Sequence, residues 1–99
     1  MNVFDLPGKP QKEELTTVLA ENKNARIERI ISTGQVSDWY DQADAEFVVL
    51  LDGHAVIEYE NKKAVSLSKG DTLLINPHER HRVGYTSCSP PCVWLCVFF

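Results

Sequence analysis

Gly70-Asp-Thr-Leu-Leu-Ile-Asn-Pro-His-Glu-Arg-His81-Arg-Val83 places a short apolar run between two sets of turn residues. Glycine tolerates positive φ and aspartate bonds nearby backbone N–H groups, so the first two residues predict a turn. The β-prone run 72–75 follows, and Pro77 ends it because proline cannot donate to a sheet ladder. The strand pattern resumes at His81. A histidine just beyond such a corner is either a ligand at the mouth of a β-structure or a surface turn residue.

From residue 25 onward the sequence has a two-residue period and frequent turns. The predicted strands cover residues 25–32, 47–51, 54–60, 64–67, 72–75, 81–85 and 92–99. Short strands with turns at this spacing indicate an all-β sandwich or barrel. The last strand is apolar on both faces, so we expect the opposite sheet on one side and the arm, a helix or a second subunit on the other.

The first quarter of the chain follows a different pattern. Residues 1–10 carry two prolines and a glycine and predict an extended arm. A helix is predicted from about 11 to 21, because three apolar residues recur there at helical spacing, namely Leu15, Val18 and Leu19.

Two motifs in the chain resemble those of the cupin family. Residues 70–81 are similar to the second cupin motif, G-x5-P-x-G-x2-H. Residues 46–53 resemble the end of the first motif, in which a glutamate precedes a glycine by seven residues. The likeness to small single-domain bacterial cupins covers the whole chain and includes residues 37–42, 80–83 and 92–95.

The resemblance implies an all-β cupin jelly-roll barrel with a short N-terminal helix. Residues 1–24 would form the arm and helix and residues 25–99 the β-barrel, within one compact domain. The chain departs from the motifs at two kinds of position. Asn76 stands at the usual proline and His78 at the second glycine, and the H-x-H that opens the first motif is missing because no histidine precedes His54.

Glu46 heads an apolar strand, and its periodicity allows two orientations. Either Glu46 faces inward with Val48 and Leu50, or it faces outward and the alternate residues fill the core. The cupin likeness favours the inward orientation. A carboxylate inside a barrel requires a metal, a cation or hydrogen-bond donors, so a ligand is expected nearby.

The metal set implied by the resemblance depends on the register of the missing H-x-H. Counting back from Glu46 leaves two registers, Tyr40 with Gln42 or Trp39 with Asp41. Only the second supplies a charged ligand. The expected metal ligands are therefore Asp41, Glu46, His78 and His81. Such a set suits one divalent metal, which would be zinc, iron, manganese or nickel.

Two functions fit this expectation. The first is a metal-dependent enzyme acting on a small polar molecule, with Glu46 and His81 as the catalytic residues that move protons. The second is a non-catalytic module that binds or senses a small ligand at the barrel mouth and keeps a degenerate, metal-free site. His54 is expected to face outward. If the face that Arg29 shares with Ile27 and Ile31 points inward, Arg29 enters the interior and is either an anion-binding group or a snorkelling residue near the barrel end. Tyr85 and Trp94 line a pocket or fill the core.

Composition narrows the class of partner. Ninety-nine residues with a net charge of −4 form one domain without the basic surface that nucleic acid or anionic membrane would require. The N-terminus lacks the pattern of a signal peptide, and no apolar stretch has the length of a membrane span, so a cytoplasmic protein is expected. A homodimer is also predicted, through the arm or the outer face of a terminal strand, because residues 92–99 carry excess apolar surface.

The three cysteines are predicted to be reduced. Cys92 and Cys96 are four residues apart in one predicted strand, a separation of about 13 Å that neither a disulfide nor a shared zinc spans. Cys88 lies in a turn and is expected to be exposed.

Overall fold

The computed structural model describes the whole chain, residues 1–99, as two antiparallel β-sheets without a helix. The strands are β1 (Leu15–Glu21), β2 (Arg26–Ser32), β3 (Glu46–Asp52), β4 (His54–Tyr59), β5 (Ala64–Ser68), β6 (Thr72–Ile75), β7 (His81–Thr86) and β8 (Cys92–Phe98). The order is β1-β2-β8-β3-β6 in the larger sheet and β5-β4-β7 in the smaller one. The predicted all-β class is confirmed, and the chain has no helix that could cross a membrane.

The core lies between the two sheets. Side chains alternate across each strand, and the inward set from both sheets is buried: Val48, Leu50, Ala55, Ile57, Tyr59, Leu67, Ile75, Cys92, Trp94 and Cys96. All three cysteines are free, as predicted, and Cys88 is the exposed one. The alternate residues of the larger sheet form its outer face, which is apolar but only partly covered.

The predicted helix over residues 11–21 is wrong, because β1 occupies most of that range. β1 is an edge strand that pairs antiparallel with β2, with a bulge between Val18 and Ala20. Thr16, Thr17 and Val18 are β-branched, and such residues favour strands. A helix this short is marginal by itself, so the open edge of β2 decides the outcome.

Arg29 lies on the outer face of the larger sheet and not in the interior. Its neighbours Glu28 and Ile30 face inward instead. The N-terminal arm covers Arg29, whose Nη1 donates to the carbonyl oxygens of Asp5 at 3.0 Å and Val3 at 3.5 Å. Arg29 therefore ties the arm to the sheet.

Tyr85 is exposed, although period-two alternation places it on the same face as His81. The pairing of β4 with β7 shifts between Val56 and Ile57, so β7 contains an extra residue at this point. The extra residue reverses the alternation beyond Val83. His54 is exposed, as predicted.

Candidate functional site

A cavity of about 270 Å³ lies between the two sheets. Its lining includes buried apolar residues from β3, β4, β6 and β8, and polar residues from the ends of β1 and β2 and from the segment before β3. At roughly 30 Å³ per water molecule, the space holds about nine waters. The volume of the cavity is slightly smaller than the ~300–1,000 Å³ of typical ligand pockets. The cavity is therefore suited to a small molecule.

Glu46 is the first residue of β3 and points into this cavity. It is only 9% exposed, and the alternating residues Val48 and Leu50 are buried on the same face. Its Oε1 accepts a hydrogen bond from Gln42 Nε2 at 3.1 Å. The inward orientation thus places a carboxylate in a largely apolar space with a neutral donor beside it.

His81 begins β7 and faces Glu46 across the cavity. Its backbone is fixed by two hydrogen bonds with Tyr40, of 2.7 and 3.1 Å. Its Nδ1 donates to the carbonyl oxygen of Glu79 at 2.8 Å. Nε2 therefore points to the cavity, where it lies 4.0 Å from Glu46 Oε1. This separation is too long for a hydrogen bond. The His81 residue is buried and only 3% exposed.

Two tyrosines flank the His81 ring. The centroid distance is 5.6 Å to Tyr40 and 6.4 Å to Tyr59. Burial raises the pKa of both phenols above 10.0, and carboxylates add to the effect, chiefly Glu14 at Tyr40 and Glu79 at Tyr59. Both phenols therefore stay protonated at neutral pH.

Cys96 lies beside the Glu46 carboxylate at the base of the cavity. Burial raises the pKa of the Cys96 thiol well above 9.0, and the charge and hydrogen-bonding of Glu46 raise it further. The thiol is consequently neutral and is not a thiolate ligand.

Asp41 and His78 lie outside the cavity and contact each other on the surface. Asp41 Oδ1 is 2.6 Å from His78 Nδ1, and their side chains are 51% and 67% exposed. His78 has a φ of +61°, a conformation that favours glycine. This explains why the cupin motif usually has glycine here, and it turns the histidine toward solvent.

The predicted ligand set therefore divides into two pairs. Of the two registers for the missing H-x-H, the structure selects Tyr40 with Gln42, because these two line the cavity beside Glu46 and His81. Asp41, which its charge favoured, lies at the surface instead, and the segment before β3 has no clear periodicity that would indicate the register. Three further residues contribute to the cavity beside Glu46 and His81, namely Tyr40, Gln42 and Cys96. The sequence offers the first two as the alternative register and gives no signal for Cys96.

The donor set does not fit a metal ion held by the protein. No group of three or more His, Cys, Asp or Glu side chains is placed to hold a metal ion. Catalytic zinc sites use three protein ligands, whereas this cavity offers His81 and Glu46 together with a neutral amide, a neutral thiol and a neutral phenol.

Comparison with known proteins places the double-sheet barrel in a family. The sequence profile of the cupin domain matches residues 28–98. The chain belongs to the cupin family, and the predicted jelly-roll fold is confirmed. No functionally curated protein shows a significant match to the chain.

Solved structures give the same fold. A protein from Ralstonia eutropha JMP134, named a "putative mannose-6-phosphate isomerase", is 40% identical, with a TM-score of 0.92 over 99% of this chain and 94% of that one. A cupin superfamily protein from Desulfitobacterium hafniense DCB-2 is 17% identical, with a TM-score of 0.82 over 95% and 83% of the two chains. A cupin-2 domain containing protein from Shewanella frigidimarina NCIMB 400 is 18% identical, with a TM-score of 0.68 over 84% and 78%.

Proposed function

We propose that the protein binds a small polar organic molecule in the cavity, with the polar group of the ligand held between Glu46 and His81. The observation that carries this proposal is the 4.0 Å gap between Glu46 Oε1 and His81 Nε2 inside a cavity of about 270 Å³. A group seated in the gap can lie about 2.8 Å from both atoms, which is hydrogen-bonding distance.

The surroundings favour an organic ligand over water alone. Most lining side chains are apolar, and they come from both sheets, with Ile57 and Trp94 as examples. A ligand with an apolar body and one polar group would satisfy the walls and the Glu46–His81 gap together, as is usual for small-molecule sites. This corresponds to a binding module without a resident metal.

A screen of small alcohols, amines and sugars by amide NMR shifts tests the proposal. We expect a ligand whose binding perturbs cavity residues. Glu46→Gln should weaken that binding at least ~10-fold, which is a loss of about 1.4 kcal/mol. Asp41→Asn should leave the binding unchanged. Shifts that map outside the cavity, or equal effects of the two variants, would contradict it.

A metal-dependent enzyme is the second candidate, and the name of the Ralstonia relative favours it. An isomerase of that type moves a proton between neighbouring carbons, a step that a carboxylate such as Glu46 can perform as general base. Two measurements separate the candidates. Elemental analysis of protein purified without a histidine tag gives the metal content. Assay with mannose 6-phosphate, alone and with zinc, iron, manganese or nickel, gives the activity, which Glu46→Gln should abolish if this candidate is correct.

We also propose a homodimer that forms through the outer face of the larger sheet. Phe47 and Leu74 are 38% and 48% exposed there, and they pair across β3 and β6 beside Val97 of β8. Such an apolar face favours association with a second copy, and two-fold dimers are the commonest oligomers. Light scattering should give twice the chain mass of 11.2 kDa, and Phe47→Asp should reduce it to the monomer value.

A further inference from the structure

We propose that the group held between Glu46 and His81 is the ammonium group of a small primary amine, and that the cavity disfavours phosphate esters. This inference rests on the proposed function, because it names the class of ligand for the same cavity. It is carried by the two atoms that face the gap, which both accept hydrogen bonds, and by the charges around them.

The hydrogen bond of His81 Nδ1 leaves Nε2 as the acceptor nitrogen of the neutral ring. Nδ1 must carry a proton, because its partner at 2.8 Å is the carbonyl oxygen of Glu79, which can only accept. In neutral imidazole the other nitrogen is then an acceptor. Glu46 faces it at 4.0 Å, and an ionised carboxylate has no donor at all. Nε2 itself has no hydrogen-bond partner in the protein, although His81 is only 3% exposed.

The number of protons on the ligand group decides which group fits this gap. A hydroxyl group has one proton and can donate to Glu46 or to His81, which leaves the other acceptor unpaired. An ammonium group has three and can donate to both at once. A phosphate at neutral pH carries acceptors and would face two more acceptors. The arrangement therefore selects for an amine.

The charges around the cavity point the same way. Three carboxylates line it, from Glu14, Glu28 and Glu46, against one guanidinium, from Arg26. That guanidinium is committed, since Arg26 Nε lies 2.8 Å from Glu28 Oε2 and its Cζ lies 4.5 Å from the centroid of the Phe98 ring. No free guanidinium or ammonium group remains for a phosphate. A ligand cation, in contrast, would meet the carboxylates of Glu14 and Glu46, neither of which forms an ion pair with a lysine or arginine.

Aromatic side chains at the cavity add a further preference. Tyr40, Trp94 and Phe98 all contribute to the lining. The faces of aromatic rings attract cations and not anions, and Arg26 over Phe98 shows that this lining already accommodates one. The cavity thus combines the two features that stabilise a desolvated ammonium ion, which are a buried carboxylate and aromatic walls.

The test uses three probes that share a four-carbon body and differ in the polar group: n-butylamine, n-butanol and n-butyl phosphate. Each is titrated into the full-length protein at pH 7, with amide shifts followed for Glu46, His81 and Cys96. We expect n-butylamine to bind at least ~10-fold more tightly than n-butanol, and n-butyl phosphate to be the weakest.

Matched variants locate the effect. Glu46→Gln should remove the advantage of n-butylamine over n-butanol, because the amide is uncharged. Glu28→Gln leaves the Glu46–His81 gap intact and frees Arg26, so it should improve binding of n-butyl phosphate at least several-fold. Asp41→Asn serves as the surface control and should change none of the three affinities.

The outcomes separate this inference from the proposed function. If n-butanol or n-butyl phosphate binds the cavity as tightly as n-butylamine, the amine inference is overturned and the proposed function stands. If none of the three perturbs cavity residues at ~100 mM, where even millimolar affinities saturate, both are overturned. An amine effect that Glu46→Gln leaves intact also contradicts the inference, because the amine would then be bound elsewhere.

Discussion

Two carboxylate–histidine pairs flank the corner between β6 and β7, and they have opposite character. Asp41 and His78 are in contact at 2.6 Å with both side chains largely exposed. Glu46 and His81 are buried, yet Glu46 Oε1 and His81 Nε2 remain 4.0 Å apart. The buried pair is held open by its anchors, and an open gap between two acceptors is what a ligand needs.

The two histidines are three residues apart, and their backbones explain the difference. His81 is the first residue of a strand and is bonded to Tyr40 on the neighbouring segment. His78 lies in the turn at positive φ, with its N–H donating to the carbonyl oxygen of Gln42 at 2.8 Å. Local conformation therefore sends one ring to the cavity and the other to solvent.

The largest effect should come from restoring the missing metal ligands on the cavity side. The double variant Tyr40→His/Gln42→His adds two imidazoles to the side chains of Glu46 and His81, which gives the four ligands typical of a closed site. We expect its affinity for nickel or zinc to exceed that of the native chain by at least ~100-fold, or about 2.7 kcal/mol. Calorimetric titration measures this gain.

The matched control for that variant is Trp39→His/Asp41→His, which adds the same residues in the other register. It should gain far less, because its histidines would join His78 at the surface and not the Glu46–His81 pair. Equal gains in the two double variants would show that the cavity register has been assigned incorrectly.

A second comparison concerns the contributions of His81 and His78 to the free energy of unfolding. His81→Ala removes the side chain of a residue that is only 3% exposed and leaves the Glu79 carbonyl without its donor. Losses of about 2–4 kcal/mol are expected for such a buried truncation. His78→Ala should stay within about 0.5 kcal/mol, as is usual at the surface. Urea unfolding of the two variants gives both values, and similar losses would mean that the two histidines are equally structural.

A third comparison uses pH. Cys96, next to Glu46, has a thiol pKa well above 9.0 because burial and Glu46 oppose its ionisation. The unfolded chain releases this proton first, so stability is fully present below pH 9.0 and falls as pH rises toward the folded pKa. The slope cannot exceed about 1.4 kcal/mol per pH unit for one group. Unfolding at pH 7 to 10 should show a smaller fall in Cys96→Ala, and an unchanged fall would exclude this thiol as the cause.

The strands from β2 onward could be predicted because they depend on local alternation and turn residues. Gly53 illustrates the turn signal: its φ is +93°, and a Cβ there would lie 2.8 Å from the backbone of Cys92. β1 could not be predicted in this way, since its apolar residues recur at helical spacing while its β-branched residues favour a strand. Only the unpaired edge of β2, which is a property of the folded sheet, decides between them.

The candidate site was predicted in part for a related reason. Glu46 and His81 sit at the starts of strands, where alternation assigns each side chain to one of two faces, and the cupin likeness favoured the inward face for Glu46. Asp41 belongs to a segment without a strand, where charge favoured a residue that lies at the surface. Tyr85 follows a register shift that no alternating pattern reveals. The alternation of side chains between the two faces is therefore predictable within a regular strand, and it is lost at bulges and loops.

The smallest effect is expected for His78→Gly, in the turn that separates the two carboxylate–histidine pairs. His78→Gly removes the surface contact between His78 Nδ1 and Asp41 Oδ1, which contributes about 0–1 kcal/mol. It also removes the strain of a side chain at a φ of +61°, which costs of order 1 kcal/mol. The two terms nearly cancel at neutral pH, and we expect a change of no more than about 0.5 kcal/mol in the free energy of unfolding. In Asp41→Asn the pair is weakened while the strain remains, so that variant should be slightly less stable than His78→Gly. The reverse order would mean that the surface pair stabilises the turn by more than the strain at His78 costs.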